Sequence, residues 1–330
     1  MTQPFRYALV GAGMVADVFH RAAAASDGRM AVEVVVARSQ DARDRVAATH
    51  GCRMASSLGA VLAEGGVDAV ILATPPDARA AMVAACTDAG MPVLAEKPLE
   101  RTADAAAALV ARMGTVPFGV VLQHRMRAAS RAARDAVDGG ALGAPRLLRV
   151  DVPWWRDPGY YAQPGRGTLA RDGGGVMITQ AIHALDLGLW LTGAPVVRVR
   201  GGTARALHDL EGEDTAAALI DFKGGAVGVF TATTAAYPGR SEIVELTCEH
   251  GTLRLGGGAL TVLHRDGRQE VVGEEGGSGG GADPMAFPLD AHQAVMLDFA
   301  GAVRAGRPPF LPASAALPVQ RCIDAIARAG

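Results

Sequence analysis

Polar side chains interrupt an otherwise apolar segment near the middle of the chain. This segment, residues 173–186, reads GGGVMITQAIHALD. On an α-helix, Thr179, His183 and Asp186 would share one face, because they are four and three residues apart. Buried polar groups need partners, so this face is expected to meet a ligand or a polar network. His183 could accept a proton from a hydroxyl group near neutral pH. The alternative is a structural histidine in a helical core.

A lysine stands where an apolar strand is predicted to end. Residues 92–95 read PVLA, and Glu96, Lys97 and Pro98 follow them. Ligands of open parallel sheets bind beyond the carboxyl ends of the strands, so Lys97 is expected to project toward a ligand. There it could stabilise negative charge that develops on an oxygen. Pro98 restricts the backbone and permits a cis peptide bond. The alternative is a surface lysine that follows a strand.

The beginning of the chain carries a glycine-rich turn. Residues 11–16, GAGMVA, follow an apolar strand and open an alanine-rich helix. The first glycine permits the tight turn, the second lets the backbone approach a pyrophosphate, and the small third position allows close packing. The pattern predicts a dinucleotide site, and a turn without a ligand is the alternative. The predicted cofactor contacts are Gly11, Gly13, Met14, Val15, Arg38, Ser39, Arg43, Thr74, Pro75, Pro76, Glu96 and Lys97.

The end of the second predicted strand bears on the choice of cofactor. It reads VARS at 36–39, and Arg43 follows one helical turn later, with no carboxylate at the tip. An acidic residue there would take a ribose 2′-hydroxyl, whereas arginine is a partner for phosphate. The sequence therefore favours NADP(H) over NAD(H). Two other interpretations of Arg38 stay open, namely stacking on the adenine of NAD and a solvated side chain without a ligand.

Two patterns of secondary structure follow each other along the chain. Short apolar strands alternate with helices over the first 120 residues, which predicts a parallel sheet covered on both faces. Beyond residue 125, two helical stretches (127–138 and 174–192) precede strand-like segments at 196–263 and two closing helices. We predict a Rossmann domain over residues 1–122 and an α+β domain with a mostly antiparallel sheet over 123–330. Residues 274–283 are predicted to form a glycine-rich loop.

Composition excludes several classes of protein. The chain has 330 residues, of which 49% are hydrophobic, with 32 basic and 34 acidic side chains. That balance argues against disorder and against nucleic-acid binding. No apolar run is long enough to span a membrane, and no signal peptide opens the chain, so a cytoplasmic protein is expected. The four cysteines are widely spaced, which predicts free thiols and no metal site.

Four of these features occur in an order that is typical of a known family. They are the glycine motif, residues 73–76 (ATPP), the Glu96-Lys97-Pro98 tripeptide and the segment 173–186. The chain resembles the Gfo/Idh/MocA oxidoreductases, typified by glucose–fructose oxidoreductase and inositol 2-dehydrogenase. The resemblance implies a Rossmann domain and a second domain, whose open sheet often serves for homodimers or homotetramers, with a cleft between the two domains. It further implies that Lys97 and His183 occupy the catalytic positions.

The chain departs from the usual family pattern at several positions. Thr179 stands where many members have Asp, and Arg79 stands where many have His. Thr179-Gln180 and the segment WWRDPGYY at 154–161 resemble a branch that acts on sugars and nucleotide sugars. However, residues 165–169 read GRGTL, without the two tryptophans of that branch. The predicted substrate contacts are Gln123, Arg125, Arg156, Tyr160, Tyr161, Arg166, Thr179, Gln180 and His183.

These features predict an NAD(P)-dependent dehydrogenase. Its substrate would be a secondary alcohol of a sugar, a sugar derivative or a cyclitol, and hydride would pass to nicotinamide. Two alternatives remain. An NADPH-dependent reductase of a C=N or conjugated bond would not need a histidine base. A dinucleotide-sensing regulator without activity would be expected to lack Lys97 or His183, both of which are present.

Overall fold

The computed structural model describes residues 3–13, 15–274 and 288–329. Met14, one of the predicted cofactor contacts, lies outside the described residues, as does nearly all of the predicted glycine-rich loop at 274–283. None of the helices in these described ranges is long and apolar enough to cross a membrane.

Two compact units make up the described chain. The first contains residues 1–100, 104–123 and 289–317, and the second contains 101–103, 124–288 and 318–330, apart from the positions outside the described ranges. Residues from the C-terminal part of the chain thus belong to both units. The domain limits at 1–122 and 123–330 stay a prediction.

A parallel sheet forms the centre of the first unit. Its strand order is β3-β2-β1-β4-β5-β6, which is the doubly wound order of dinucleotide-binding folds. Every strand pair in it is parallel, and β4, β5 and β6 are fully buried. Continuous burial explains their unbroken apolar sequences. The strands are β1 (Phe5–Val10), β2 (Met30–Val36), β3 (Arg53–Ala55), β4 (Ala69–Leu72), β5 (Val93–Glu96) and β6 (Phe118–Val121).

Helices connect these parallel strands. Serines cap two of them, since Ser39 Oγ accepts from the amide of Ala42 and Ser57 Oγ accepts from that of Ala60. The connecting helices are α1 (Ala16–Ala24), α2 (Gln40–His50), α3 (Leu58–Glu64), α4 (Arg79–Asp88) and α5 (Ala103–Met113).

The second unit contains an eight-stranded sheet in the order β14-β13-β12-β11-β7-β10-β9-β8. Only β7 and β10 pair in parallel, while the other neighbours are antiparallel. Both sheets together confirm the predicted fold class. The strands are β7 (Pro145–Pro153), β8 (Val196–Ala204), β9 (Thr215–Phe222), β10 (Val227–Thr233), β11 (Ile243–Cys248), β12 (Gly251–Gly256), β13 (Ala259–His264) and β14 (Gln269–Val272).

One face of this sheet carries the core of the second unit. Alternate residues of β9 to β12 are buried, and they pack with helices of the same unit in one apolar cluster. The described helices of the second half of the chain are α6 (Ala128–Asp138), the single turn α7 (Pro158–Tyr161), α8 (Ile182–Thr192), α9 (Asp290–Ala305) and α10 (Leu317–Ala329).

The helix predicted at 174–192 is not a uniform α-helix. A π-helical turn occupies Met177–Ala181, and α8 begins at Ile182. Thr179 therefore lies in the widened turn, whereas His183 and Asp186 lie three residues apart on the regular helix. The expectation of a single α-helical face through Thr179 needs this correction, because i→i+5 bonding changes the angular position of each residue. Such turns are frequent at functional sites.

Candidate active site

The carboxyl ends of the first unit's parallel strands bring several predicted cofactor residues to one edge. Gly11 follows β1 directly, Arg38 follows β2, Thr74 follows β4 and Lys97 follows β5. The carboxyl ends of parallel strands share one edge of a sheet, and this edge is where open α/β sheets bind ligands. The predicted cofactor residues that follow these strands therefore lie at one edge of the sheet, and their role stays a prediction.

The two glycines of the predicted cofactor turn have different surroundings. Gly11 has φ of +114°, and a Cβ at this position would lie 2.7 Å from the carbonyl oxygen of Ala73. No other residue type fits there without displacing the backbone. A Cβ at Gly13 would meet no heavy atom within 4 Å, so this glycine is not required by packing of the described residues. Open space beside an exposed backbone fits the approach of a pyrophosphate.

The side chains after β2 have different surroundings. Arg43 donates to the carbonyl oxygens of Ala37 and Arg38, at 2.7 and 2.8 Å, and to the side chain of Gln40. Ser39 uses its hydroxyl as the cap of α2. Arg38 itself is exposed. Two of the three predicted adenosine-side residues thus shape the loop, while Arg38 presents its guanidinium at the surface.

A buried arginine joins the ends of β4 and β5. Arg79 is 2% exposed and donates to the carbonyl oxygen of Thr74 through Nε and Nη2, at 3.1 and 2.6 Å. Its Nη1 contacts the carbonyl oxygens of Glu96 and Pro98. Burial lowers the pKa of Arg79 to about 10, although the carboxylates of Glu96 and Glu100 oppose this effect. This side chain therefore links the backbone after β4 with the backbone on both sides of Lys97.

The Glu96-Lys97-Pro98 segment is ordered by its own groups as well. The Lys97–Pro98 peptide bond is cis. Glu96 is buried, and its Oε2 accepts from the amide of Lys97 at 3.1 Å. Burial raises the pKa of Glu96, while the positive charges of Lys97 and Arg79 partly counteract this. Thr74 and Pro75 are partly buried and Pro76 is buried, next to the same edge.

His183 lies on α8 and is 6% exposed. One turn later, the carboxylate of Asp186 accepts hydrogen bonds from Nε and Nη2 of Arg125, at 2.7 and 2.5 Å. The two side chains thus form a bidentate ion pair. Burial raises the pKa of Asp186, and Arg125 opposes that shift. Arg125 was predicted to contact substrate, but its Nε and Nη2 are engaged by Asp186. Gln123 begins the 3-10 turn after β6, and its side chain is partly buried.

The predicted substrate contacts on the loop after β7 form a cluster with the π-helical turn. Gln180 Nε2 donates to the hydroxyl of Tyr160 at 3.3 Å, and Thr179 Oγ1 contacts the Gln180 side chain. The guanidinium of Arg166 lies 4.3 Å from the ring centre of Tyr160, and that of Arg156 lies 5.4 Å from it. The structure thus brings five of the predicted residues into contact.

Burial distinguishes two members of this cluster. Arg156 is 3% exposed, and burial lowers its pKa, although the neighbouring tyrosines oppose that change. The hydroxyl of Tyr161 contacts that of Thr234 at 2.8 Å, and burial raises the pKa of Tyr161 to about 12. The hydroxyl of Tyr161 therefore stays protonated at neutral pH. Both side chains carry groups that can donate hydrogen bonds to oxygen atoms of a ligand.

Glu213 is a positioning residue that the sequence analysis missed. Its carboxylate accepts from the amides of Gly175 and Met177 at 3.0 and 2.9 Å, and its carbonyl accepts from Val176 at 2.8 Å. A Cβ at Gly175 would lie 1.7 Å from that carbonyl oxygen. The helix start that leads to His183 is thus capped by a residue almost 40 positions away, so no local pattern could have indicated it.

Comparisons with known proteins agree with this architecture. Residues 5–116 match the model of an oxidoreductase family with an NAD-binding Rossmann fold, and residues 130–254 match the GFO/IDH/MocA C-terminal domain. The rhizopine catabolism protein MocA of Rhizobium meliloti is 31% identical over 68% of this chain and 70% of its own length. The chain belongs to the Gfo/Idh/MocA family of oxidoreductases, which confirms the resemblance seen in the sequence.

Two further relatives have more specific names. An inositol 2-dehydrogenase of Streptomyces avermitilis is 27% identical over 93% of this chain and 86% of its own length. The crystal structure of the WlbA dehydrogenase from Bordetella pertussis, in complex with NADH and UDP-GlcNAcA, is 27% identical. It superposes with a TM-score of 0.84 over 99% of this chain and 96% of that one.

Proposed function

We propose that this protein is an NAD(P)-dependent dehydrogenase that reversibly oxidises a secondary alcohol of a sugar, a sugar derivative or a cyclitol. The observation that carries the proposal is the edge of the parallel sheet. There the obligatory glycine turn of Gly11 follows β1, and the segment of Lys97 follows β5. Arg79 binds the carbonyl oxygen of Thr74 after β4, which lies between these two strands, and that of Glu96 beside Lys97. The names of the relatives support an alcohol as the substrate.

The chain's own groups are assigned distinct roles. Gly11, Gly13, Val15 and the residues after β4 would hold the cofactor, and Met14 belongs to the same predicted set. When bound, nicotinamide supplies the acceptor for the hydride of the alcohol carbon. His183 takes the hydroxyl proton as general base. Lys97 hydrogen-bonds the same oxygen and stabilises its developing negative charge.

The cluster after β7 is proposed to bind the remaining hydroxyl or carboxylate groups of the substrate. Arg156, Arg166, Tyr160 and Gln180 offer donors in one contiguous group. Thr179 cannot ionise, so it would orient the substrate or His183 without exchanging a proton. Tyr161, Gln123 and Arg125 complete the proposed set, and Arg125 would act through its ion pair with Asp186.

We propose a preference for NADP(H), since Arg38 presents an exposed guanidinium after β2 and no carboxylate stands beside it on this strand end. In Arg38→Asp, the ratio of kcat/KM for NADP⁺ to that for NAD⁺ should fall at least about tenfold. Arg45→Asp, a change at an exposed position of the following helix α2, should leave the ratio unchanged. A wild-type protein that uses NAD⁺ better than NADP⁺ would contradict the preference.

Steady-state assays with a panel of sugars, sugar acids and inositols test the activity. Each compound is incubated with NAD⁺ or NADP⁺, and formation of reduced nicotinamide is followed by absorbance. Reduction that requires one class of polyol supports the dehydrogenase. If no polyol reduces either cofactor while a cyclic imine consumes NADPH, the dehydrogenase proposal is wrong and the protein is a reductase of C=N bonds. Cofactor binding without turnover of any compound would favour the regulator.

The proposal extends to assembly and location. The face of the eight-stranded sheet opposite the core exposes Leu219 and Val229, which pair across β9 and β10. We propose that this face joins copies of the chain in a homodimer or homotetramer. The four cysteines are all free, which fits the reducing cytoplasm as the proposed location.

A further inference from the structure

The ring of His183 packs against a second histidine. The ring centres of His124 and His183 are 4.8 Å apart, and the ring planes differ by 25°. Both side chains are almost fully buried, at 5% and 6% exposure. His124 belongs to the 3-10 turn at Gln123–Met126, so two elements of the same unit contribute one ring each. The sequence analysis did not single out His124.

The neighbours of His124 determine where its proton lies. Nη2 of Arg127 is 2.7 Å from Nε2 of His124. A guanidinium can only donate, so Nε2 must accept with its lone pair, and the proton of the neutral ring is on Nδ1. That Nδ1 faces Oε1 of the buried Glu242 at 4.0 Å, and Glu242 also pairs with Nη1 of Arg127 at 3.3 Å. Protonating Nε2 would break the bond to Arg127 and place two positive charges together.

Two further arginines near His124 form ion pairs within the described part of this unit. Arg125, on the same turn, is bound to Asp186 of α8, and Arg127 is bound to Glu242 before β11. His183 is a further titratable group that faces His124. A neutral ring stacked on His183 presents its π face to the positive charge that His183 acquires when it takes a proton. A charged ring would instead oppose this protonation.

We propose that His124 is a positioning residue for His183. Arg127 and Glu242 hold the His124 ring neutral, so that this ring orients His183 and does not oppose the positive charge that His183 acquires when it takes a proton. This inference rests on the proposed role of His183 as general base. His124 touches neither substrate nor cofactor in this proposal, and it exchanges no proton in the reaction.

Kinetics of substitutions at position 124 test the proposal. His124→Ala removes the stacked ring, and kcat should fall about tenfold while the KM for the alcohol changes less than twofold. His124→Phe keeps a neutral ring, so kcat and its pH profile should return to within about threefold of wild type. His264→Ala, which changes a histidine on β13, is the matched control and should retain wild-type kcat. Equal kcat in wild type and His124→Ala, with both proteins folded, would overturn the proposal.

The tautomer is tested without any turnover. In protein labelled with ¹⁵N-histidine, the His124 signals are those that disappear in His124→Phe. Between pH 8 and about pH 6, they should show a proton on Nδ1 alone. A proton on Nε2, or on both nitrogens at pH 7, would overturn the inference.

A His183→Ala variant separates the two hypotheses. If it retains turnover, the proposed base is wrong, and the role of His124 fails with it. If it loses turnover while His124→Ala does not, only the inference about His124 is overturned.

Discussion

At the scale of single residues, the proposed chemistry depends on the amine nitrogen of Lys97 and a ring nitrogen of His183. Lys97→Met removes the cation that would stabilise the substrate oxygen, and His183→Ala removes the base. Each change should lower kcat by about a hundredfold or more. Because neither side chain is needed to shape the turn at Gly11, the fluorescence titration of reduced cofactor should still show binding. Lys223→Met, an exposed lysine of the β9–β10 turn, is the control. Wild-type turnover in either active-site variant would remove that residue from the mechanism.

Replacement of Arg79 should destabilise the backbone around Lys97. Arg79→Met leaves the carbonyl oxygens of Thr74, Glu96 and Pro98 without this buried donor, so the free energy of unfolding should fall by about 3 kcal/mol. Arg79→Lys keeps a charge but not the planar donor set, and an intermediate loss is expected. Denaturant titration measures both.

A second arginine of the same unit provides the control for this experiment. Arg112 forms an exposed ion pair with Asp88, so Arg112→Met should cost less than about 1 kcal/mol. Equal stability of Arg79→Met and Arg112→Met would show that the buried contacts of Arg79 contribute little.

At the scale of elements, the loop between β8 and β9 is organised by one carboxylate. Asp214 is fully buried and accepts from the amides of Ala206, Leu207 and His208 and from the hydroxyl of Thr215. Burial alone would raise the pKa of Asp214, but these hydrogen bonds hold it below its ordinary value. The stabilisation is therefore present above the ordinary pKa of an aspartate and is lost as the pH falls through the lower folded-state pKa.

Asp214→Asn tests this linkage. One acceptor oxygen becomes a donor, so the variant should lose about 2 kcal/mol of stability at pH 7. The difference from wild type should begin to shrink as the pH falls below about 4, where the carboxylate of the unfolded chain takes up a proton. It should disappear once the pH is below the lower folded-state pKa. Thermal unfolding measured at several pH values checks both expectations. A difference that stays constant from pH 7 to pH 3 would contradict the assignment.

The π-helical turn shows how an element can differ from its sequence pattern. The spacing of His183 and Asp186 was interpreted correctly, because both lie on α8. Thr179 was placed on the same regular helix, but it lies in the wider turn. Glu213 caps the chain at the start of that turn, and Gly175 lies close to the backbone of Glu213 there. Periodicity contains no information about such distant contacts.

At the scale of the whole molecule, assembly through the exposed sheet face can be measured directly. Leu219→Glu and Val229→Arg place a charge in the proposed interface, so light scattering should give the monomer mass of 33.8 kDa. Phe310→Lys, an exposed apolar residue of the other unit, should leave the oligomer intact. A wild-type protein that is already monomeric, or sheet variants that stay oligomeric, would exclude this interface.

The sequence by itself determined the family, both sheets and the residues that follow the strands, because these depend on local spacing. Gly11 and Lys97 could be identified since each comes directly after an apolar strand, and the hairpin of β9 and β10 carries its own turn. The tertiary structure alone decided which polar groups are already satisfied. Arg125 with Asp186, Arg127 with His124, and Arg79 with three carbonyls join residues that chain folding brings together. Hydrogen bonding depends on distance in space, and separation along the chain does not reveal it.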